Sequence, residues 1–337
     1  MKPRTLFAPV LLAAALPAFA PAVAEVNVYS YRQPELILPL AEAFTDETGI
    51  EVNIAFLNKG LTERLLAEGQ RTPADIILTA DVQRLVEAVE AGVTRAVDSE
   101  VLTANVPEVF RDAGGHWFGL TSRARVIYAS KERVAPGAVT SYEDLADPKW
   151  KGRICTRSGV HAYNTALTAA MIAHHGEDYT TGWLEGLRAN LAMKPQGNDV
   201  AQVKSVWAGE CDIALGNTYY MGEMLEDPEQ RTWSEAARID FPVFEDGGTH
   251  VNISGVAMTL HAKHEADALA FMEYLTSPAA QSIYAAVNHE YPVSPAAEPS
   301  EMVAGWGSFT PDNIALTEIA AERGAALKLT QAVDFDG

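Results

Sequence analysis

The chain has 337 residues, of which 45 are Asp or Glu and 25 are Lys or Arg, so its formal net charge is −20 at pH 7. So acidic a protein is unsuited to general nucleic-acid binding, which needs basic surface to neutralise phosphates. Hydrophobic residues make up 48% of the chain and charged residues 21%, a balance that excludes a disordered protein. The length allows about two domains of ordinary size.

Residues 1–24 have the pattern of a secretory signal peptide. Lys2 and Arg4 precede an apolar stretch at 6–19, and the A-x-A sequence at 22–24 is typical of a cleavage site. The apolar stretch is short for a membrane span, and no second run of about 20 apolar residues follows. We therefore predict an exported protein that is not inserted in a membrane. Removal of residues 1–24 leaves 23 basic and 45 acidic residues, a net charge of −22.

Residues 25–92 alternate between strand and helix patterns. The predicted elements are a strand at 25–30, a helix from Pro34 to Gly49, a strand at 50–57, a helix at 61–68, a strand ending at Thr79, and a helix that Asp81 caps and Gly92 ends. This order predicts a parallel sheet flanked by helices.

A second α/β pattern follows closely spaced strands at 117–130. Its predicted elements are a strand at 153–156, helices at 164–174, 181–190 and 200–208, a strand at 212–215, a long strand at 251–260, and helices at 265–275, 278–287 and 317–332.

Two such units joined by two long strands predict an α/β fold with two parallel-sheet lobes and hinge crossings near 121–128 and 250–257. We assign 25–123 and 252–300 to lobe 1, and 124–251 and 301–337 to lobe 2. The ligand is then expected in the cleft between the lobes, which can close around it.

The chain has two cysteines, Cys155 and Cys211. In an exported protein such a pair is expected to form a disulfide, with two free buried thiols as the alternative. A spacing of 56 residues resembles neither a metal site nor a CxxC redox motif. The expected role of the bond is to join two strands.

Recognised catalytic motifs do not occur in this sequence. No GxGxxG follows the first strand, and no GxxxxGK[ST], HExxH or GxSxG is found. We therefore predict that the protein is not an enzyme. A secreted hydrolase with a carboxylate pair is the enzyme alternative, and no motif supports it.

Tyr219 and Tyr220 follow a predicted strand and a Gly-Asn turn, and they precede a helical stretch. Successive residues in the first turn of a helix point about 100° apart, so two side chains there can converge on one centre. Tyr163 also stands at a strand-to-helix turn, in the same predicted lobe. The alternative for the Tyr219–Tyr220 pair is two ordinary half-buried aromatic side chains.

Three tyrosines at one cleft would supply a hard, anionic oxygen donor set, which suits a trivalent cation. A free phenol has a pKa near 10, so only a strong Lewis acid such as Fe³⁺ would ionise three of them at neutral pH. Three phenolates leave about half of an octahedron for a small oxyanion. Arg32 and Arg123 are candidates to hold that anion; for each, the alternative is a solvated or structural ion pair.

The mature chain resembles the periplasmic ferric-ion-binding proteins of bacterial iron ABC transporters over residues 25–337. The motifs that carry the resemblance are YSYRQP (29–34), PADIILT (73–79), WFGLTSRARVIY (117–128), RSGVHAYN (157–164), GNTYYMGEML (216–225), NISGV (252–256) and NHEYPV (288–293). The resemblance implies a type II periplasmic-binding-protein fold, Fe³⁺ held by Tyr163, Tyr219 and Tyr220, and delivery of the ion to an inner-membrane permease.

Some members of that family add a His or Tyr ligand from lobe 1, where this chain has Gln33 and Pro34. The YSYRQP variant resembles the subgroup in which a synergistic anion, carbonate, completes the coordination. Tyr31 is a weaker candidate ligand, with packing as the alternative. We expect a monomer. The competing function is a binding protein of the same fold for an organic or phosphate anion, with Arg32 and Arg123 as primary ligands.

Overall fold

The computed structural model describes residues 24–337, so the predicted signal peptide at 1–24 lies outside the described residues except for Ala24. Nine strands form in the described part of the chain. They are β1 (Glu25–Ser30), β2 (Glu51–Phe56), β3 (Ile76–Thr79), β4 (Phe118–Ser130), β5 (Ile154–Cys155), β6 (Ile213–Asn217), β7 (Ala237–Asp240), β8 (Val251–Met258) and β9 (Tyr291–Pro292).

Thirteen α-helices connect or cover these strands between residues 24 and 337. They are α1 (Pro34–Thr48), α2 (Leu61–Glu68), α3 (Val82–Glu90), α4 (Glu100–Asn105), α5 (Ala162–Ala189), α6 (Asp199–Ala208), α7 (Tyr219–Glu226), α8 (Arg231–Ala236), α9 (Glu265–Thr276), α10 (Pro278–Asn288), α11 (Glu301–Ala304), α12 (Leu316–Ala321) and α13 (Arg323–Ala332). None of these described helices is long and apolar enough to cross a membrane.

The helix ends follow the sequence signals closely in the first third of the chain. Pro34 occupies the first turn of α1, where its missing N–H has no helical partner in any case. Gly49 ends the helix in a left-handed conformation, at φ 75°. The Asp81 side chain accepts a hydrogen bond from the backbone N–H of Gln83 and so caps α3.

Three element predictions need correction. The region predicted as closely spaced strands at 117–130 contains the single 13-residue strand β4. The helices predicted at 164–174 and 181–190 both belong to α5, which is interrupted at Gly176, where φ is 79° and ψ 171°. The helix predicted at 317–332 divides at Glu322 into α12 and α13.

The strand β4 belongs to two sheets. Its first half, as far as Ala124, pairs with β8 and β9, and its second half pairs with β6 and β7. We call the strands β2, β1, β3, β8, β9 and the first half of β4 the first sheet, and β5, β6, β7 and the second half of β4 the second sheet. All 13 residues of β4 are buried.

Both sheets are mixed, so the prediction of parallel-sheet lobes is wrong on this point. The pairs β1–β2, β1–β3 and β5–β6 are parallel, as the alternating strand-helix order requires. The pairs that β4 and β8 make with each other and with β3, β6, β7 and β9 are antiparallel. The long strands β4 and β8 thus run against the direction of their neighbours. Only β4 passes between the sheets, and the crossing predicted near 250–257 lies before β8, which belongs to the first sheet alone.

Helices pack on each sheet around apolar side chains. Beside the first sheet, Phe44 of α1 contacts Phe271 of α9, with ring centres 4.8 Å apart. Beside the second sheet, Trp183 and Leu187 of α5 are buried with Ile127 of β4. Each such side chain contributes about 1.5–3 kcal/mol through burial. The lobe boundaries given above stay a prediction.

A disulfide joins Cys155, at the end of β5, to Cys211, which stands two residues before β6. Their Cα atoms are 5.8 Å apart, within the ordinary range for a disulfide. The bond thus joins the end of β5 to the segment that leads into its parallel neighbour β6, and not one strand to the other as predicted.

The chain crosses between the sheets at two further places. Residues 241–250 lead from β7 into β8, and residues 305–315 lead from α11 to α12. The two segments meet in an isolated bridge between Thr249 and Pro311. Together with β4, they make three covalent connections between the two halves of the described chain.

His174 of α5 contacts both of these crossing segments. Its Nδ1 lies 2.7 Å from Oδ1 of Asp246, and its Nε2 lies 2.9 Å from Oδ2 of Asp312. The imidazole also stacks on Phe244, with ring centres 4.0 Å apart. The side chains of His174 and Asp312 are buried, whereas Asp246 is largely exposed. His174 therefore attaches two crossing segments to the helix that precedes the Gly176 break.

We expect His174→Phe to lower the free energy of unfolding by about 2–3 kcal/mol, because it leaves the buried Asp312 carboxylate without its imidazole partner. Chemical denaturation followed by circular dichroism measures the change. Asp246→Asn is the matched control, since it alters only the exposed partner and should cost less than about 1 kcal/mol. Equal losses in the two variants would contradict the assignment.

Candidate metal site

The hydroxyl groups of Tyr163 and Tyr219 lie 3.1 Å apart. Tyr163 is in the first turn of α5, and Tyr219 and Tyr220 begin α7. The rings of Tyr219 and Tyr220 pack against each other with their centres 4.2 Å apart and their planes at 32°. All three tyrosines line one cleft of about 390 Å³. The structure thus brings together the three tyrosines that the sequence singled out.

The turn that presents Tyr219 is held against β4. The Thr218 N–H donates to the carbonyl of Ala124 at 3.1 Å, and the Tyr128 hydroxyl donates to the carbonyl of Asn217. Gly216 is required here because a Cβ at that position would lie 2.6 Å from Cζ and 2.9 Å from Cδ2 of the Tyr128 ring. The last residues of β6 therefore fix where α7 starts.

The start of α5 is held by His161. Its Nδ1 accepts a hydrogen bond from the backbone N–H of Tyr163 at 3.2 Å, and its ring packs edge-on against the Tyr163 ring. Burial, together with the nearby Arg157, lowers the pKa of His161 to about 4. The imidazole is therefore neutral near pH 7, with a lone pair available for the cap.

The cleft disfavours ionised phenols when no cation is present. Burial raises the pKa of Tyr219 well above its ordinary value near 10, and charge on Tyr163 or Tyr220 raises it further. Burial and the neighbouring Tyr163 raise the pKa of Tyr220 to about 12. Both phenols are therefore neutral at pH 7, and a cation that binds their oxygens must displace their protons.

A buried ion network lies behind Tyr163. Asp199, at the start of α6, is fully buried and binds Nη1 of Arg125 at 2.9 Å and Nη1 of Arg157 at 3.0 Å. The guanidinium carbon of Arg157 is 5.1 Å from the centre of the Tyr163 ring, and that of Arg125 is 6.0 Å from it. Asp199 therefore offsets part of the charge of the two arginines that lie behind Tyr163.

Arg32 and Arg123 line the same cleft and share one carboxylate. Nη2 of Arg32 lies 3.2 Å from Oε1 of Glu290, and Nη1 of Arg123 lies 3.7 Å from the same oxygen. Arg32 also donates through Nε to the Tyr284 hydroxyl at 2.8 Å. Burial opposes ionisation of Glu290, but Arg32 and Arg123 lower its pKa below the usual value. Arg32 and Arg123 therefore each form the structural ion pair that was the alternative interpretation of these residues.

Nη1 of Arg123 retains donor capacity despite this pairing. The atom is buried and has no hydrogen-bond partner within residues 24–337. The Arg123 side chain is 4% exposed, and its Nη2 donates to the carbonyl of Ala80. An oxyanion in the cleft would supply the acceptor that Nη1 lacks.

The remaining candidates take different places. Tyr31 accepts a hydrogen bond from the Leu61 N–H at 2.8 Å and lies beneath the guanidinium of Arg84, so it anchors the start of α2 and is not among the residues that line the cleft. Gln33 does line the cleft. Pro34 begins α1 and has no side-chain donor atom.

The sequence analysis missed three residues that line the cleft, Glu223, His289 and Glu290, and the buried Asp199 behind Tyr163. His289 and Glu290 lie in the NHEYPV motif, which was recognised without a role for either residue. Among residues 24–337, no group of three or more His, Cys, Asp or Glu is placed to hold a metal ion. The tyrosine cluster is the candidate metal site, because its phenol groups converge in one cleft and two of their oxygens lie 3.1 Å apart.

Residues 71–307 match the family of bacterial extracellular solute-binding proteins. The chain belongs to this family. Its members are transport proteins and do not form an enzyme class. The chain is 44% identical to iron uptake protein A1 of Synechocystis sp. over 90% of this chain and 86% of that protein. It is 30% identical to the major ferric iron-binding protein of Neisseria meningitidis serogroup B over 85% of this chain and 86% of that protein.

Solved structures give the same result. The ferric iron-binding protein A of Mannheimia haemolytica, in an open conformation, superposes with a TM-score of 0.89 at 52% identity and covers 93% of this chain and 99% of its own. A Trichodesmium FutA in complex with iron and citrate has a TM-score of 0.88 at 38% identity, and the match covers 92% of this chain and 99% of that chain. The predicted two-lobed α/β fold and the resemblance to ferric-ion-binding proteins are both confirmed.

Gly216→Ala should lower the free energy of unfolding by about 1–3 kcal/mol, because the added methyl group overlaps the ring of the buried Tyr128. Thermal unfolding of the purified protein measures the loss. Gly324→Ala is the matched control: no atom lies within 4 Å of a Cβ at that position in α13, and alanine favours a helix, so stability should be unchanged or higher. A Gly216→Ala variant as stable as its control would contradict the packing argument.

Proposed function

We propose that this protein is the solute-binding component of a ferric iron ABC transporter. It binds Fe³⁺ in the cleft through the phenolate oxygens of Tyr163, Tyr219 and Tyr220 and delivers the ion to an inner-membrane permease. The observation that carries the proposal is the 3.1 Å approach of the Tyr163 and Tyr219 hydroxyls, with the Tyr220 ring packed beside them. Hard phenolate oxygens match the preference of Fe³⁺, and the names of the relatives agree.

The charges in the cleft support a small synergistic anion as a further ligand of the bound ion. Three phenolates balance the charge of Fe³⁺ but fill only about half of its octahedral coordination. Gln33 and Pro34 supply no anionic ligand from the other side of the cleft. We infer that carbonate occupies the remaining positions, held by Arg32 and Arg123. The unpartnered Nη1 of Arg123 supports this role.

The rest of the proposal concerns the molecule as a whole. Residues 25–123 with 252–300 form lobe 1, and residues 124–251 with 301–337 form lobe 2. The protein acts as a periplasmic monomer after removal of residues 1–24, and it catalyses no reaction.

The alternative is a protein of this fold that binds an organic or phosphate anion without a metal. The unpartnered Nη1 of Arg123 is the observation in its favour. Against it, Glu290 is ionised between Arg32 and Arg123 and offsets much of their charge. The three adjoining phenols would also have no function in this alternative.

Tyr219→Phe combined with Tyr220→Phe should abolish the red to orange colour of the iron-loaded protein, because the colour arises from phenolate-to-iron charge transfer. A visible spectrum before and after chelation measures it. Tyr179→Phe, which changes an exposed tyrosine of α5, is the control and should keep the full band. A charge-transfer band left unchanged by the double substitution would exclude Tyr219 and Tyr220 as iron ligands. Thermal stabilisation of metal-free protein by a phosphate ester would instead favour the alternative.

Iron affinity should rise with pH. The pKa values of Tyr219 and Tyr220 lie above their ordinary value, so below about pH 10 each phenol that binds iron releases one proton. Linkage then predicts a gain of about tenfold per pH unit for each ionised phenol. Competition with a chelator between pH 6.5 and 8, corrected for protonation of the chelator and hydrolysis of the iron, measures the slope. A flat profile would contradict phenolate ligation.

A further inference from the structure

His289 and Gly222 form a contact across the cleft. His289 ends α10 and leads into β9 of the first sheet, whereas Gly222 lies in α7, which follows β6 of the second sheet. A Cβ at position 222 would lie 2.6 Å from Cβ and 2.9 Å from Cδ2 of His289. Glycine is therefore required at 222 while His289 occupies its present place.

The backbone at His289 leaves the side chain little freedom to withdraw. Its φ of 53° and ψ of 34° are left-handed, a conformation more usual for Gly or Asn at the end of a helix. The following N–H, of Glu290, donates to Ala285 at 3.0 Å, and Tyr291 pairs with Ser122 of β4. The overlap with a methyl group at 222 involves the Cβ of His289, so rotation of the imidazole does not remove it.

This contact joins the two halves of the cleft. Gly222 stands two residues after Tyr220 in α7. On the other side, Glu290 follows His289 directly and binds both Arg32 and Arg123. Two successive residues beside the first sheet therefore have different partners. His289 contacts α7, the helix that carries Tyr219 and Tyr220, and Glu290 binds the two arginines.

We propose that His289 is a positioning residue that sets how closely α7 and its tyrosines approach the first sheet. The inference rests on the proposed function, because its effect is exerted on the iron site. His289 acts here through its shape. Its Nε2 lies 3.4 Å from Oε2 of Glu226, but that carboxylate is 62% exposed, and so exposed a pair contributes little.

A methyl group at position 222 should therefore separate α7 from the first sheet and weaken iron binding. The effect does not come from helix propensity, since alanine stabilises a helix relative to glycine. A loss of about tenfold in affinity is the size expected for coupling between residues in contact. The absorption maximum of the iron-loaded protein should stay unchanged, because Tyr163, Tyr219 and Tyr220 are all retained.

A double-mutant cycle on the full-length mature protein tests the contact. The variants are Gly222→Ala, His289→Gly, His289→Ala and the two combinations, and the measurements are the rate of iron release to a chelator and the visible spectrum. His289→Gly removes the overlapping Cβ and suits the left-handed backbone. His289→Ala keeps that Cβ and is the matched control. Glu226→Gln tests the exposed carboxylate separately and should change the release rate by less than about twofold.

We expect Gly222→Ala to accelerate iron release by about tenfold when residue 289 is His or Ala, and by less than about twofold when it is Gly. Because the effect depends on residue 289, it can be distinguished from a general loss of stability. The melting temperatures of the iron-free variants show whether stability has changed. Equal effects of Gly222→Ala in all backgrounds, or no effect with His289 present, would overturn the inference and leave the proposed function intact. A wild-type protein without the charge-transfer band would overturn both.

Discussion

One shared strand is the constraint on which the rest of the molecule depends. β4 runs through both sheets without interruption, and every one of its 13 residues is buried. Alternate residues of a strand face the same side, so Arg123 and Arg125 project together although they fall on opposite sides of the point where β4 changes sheets. Arg123 binds on the Glu290 side of the cleft, and Arg125 binds Asp199 behind Tyr163. Two residues of one strand thus contribute to both walls of the site.

The overall acidity of the chain says little about this site. The groups that line or support the cleft include four arginines, at positions 32, 123, 125 and 157, and two buried carboxylates, Asp199 and Glu290, that pair with them. The phenols of Tyr219 and Tyr220 are neutral at pH 7, because their pKa values are raised. The net charge of −20 is therefore mainly a property of the surface.

Most elements and the three tyrosines could be predicted from the sequence, because strand-turn-helix signals are local. Tyr219 begins α7 with a single residue between it and the end of β6, and Tyr163 stands at the start of α5, so their places depended on a few neighbouring residues. Strand direction was predicted less well, since hydrophobic patterning does not record whether a long connecting strand runs with or against its neighbours.

The ion pairs could not be predicted for a related reason. Arg32 and Glu290 are 258 positions apart, and only the assembled fold brings them together. Charged residues are seldom fully buried, so the amino acid types alone would have placed Asp199 and Glu290 on the surface. Their partners are arginines, which are themselves usually exposed, and nothing local distinguishes these arginines from the others in the chain.

The number of connections between the two sheets has a mechanical consequence. β4 and the segments at 241–250 and 305–315 all pass between the halves of the molecule, and the latter two are bridged to each other and attached to His174. Three neighbouring tethers resist sliding and separation far more than rotation about the line on which they lie. Any relative motion of the two halves would therefore be mainly a rotation about that line, and such a rotation would bring the same residues face to face each time the halves approach.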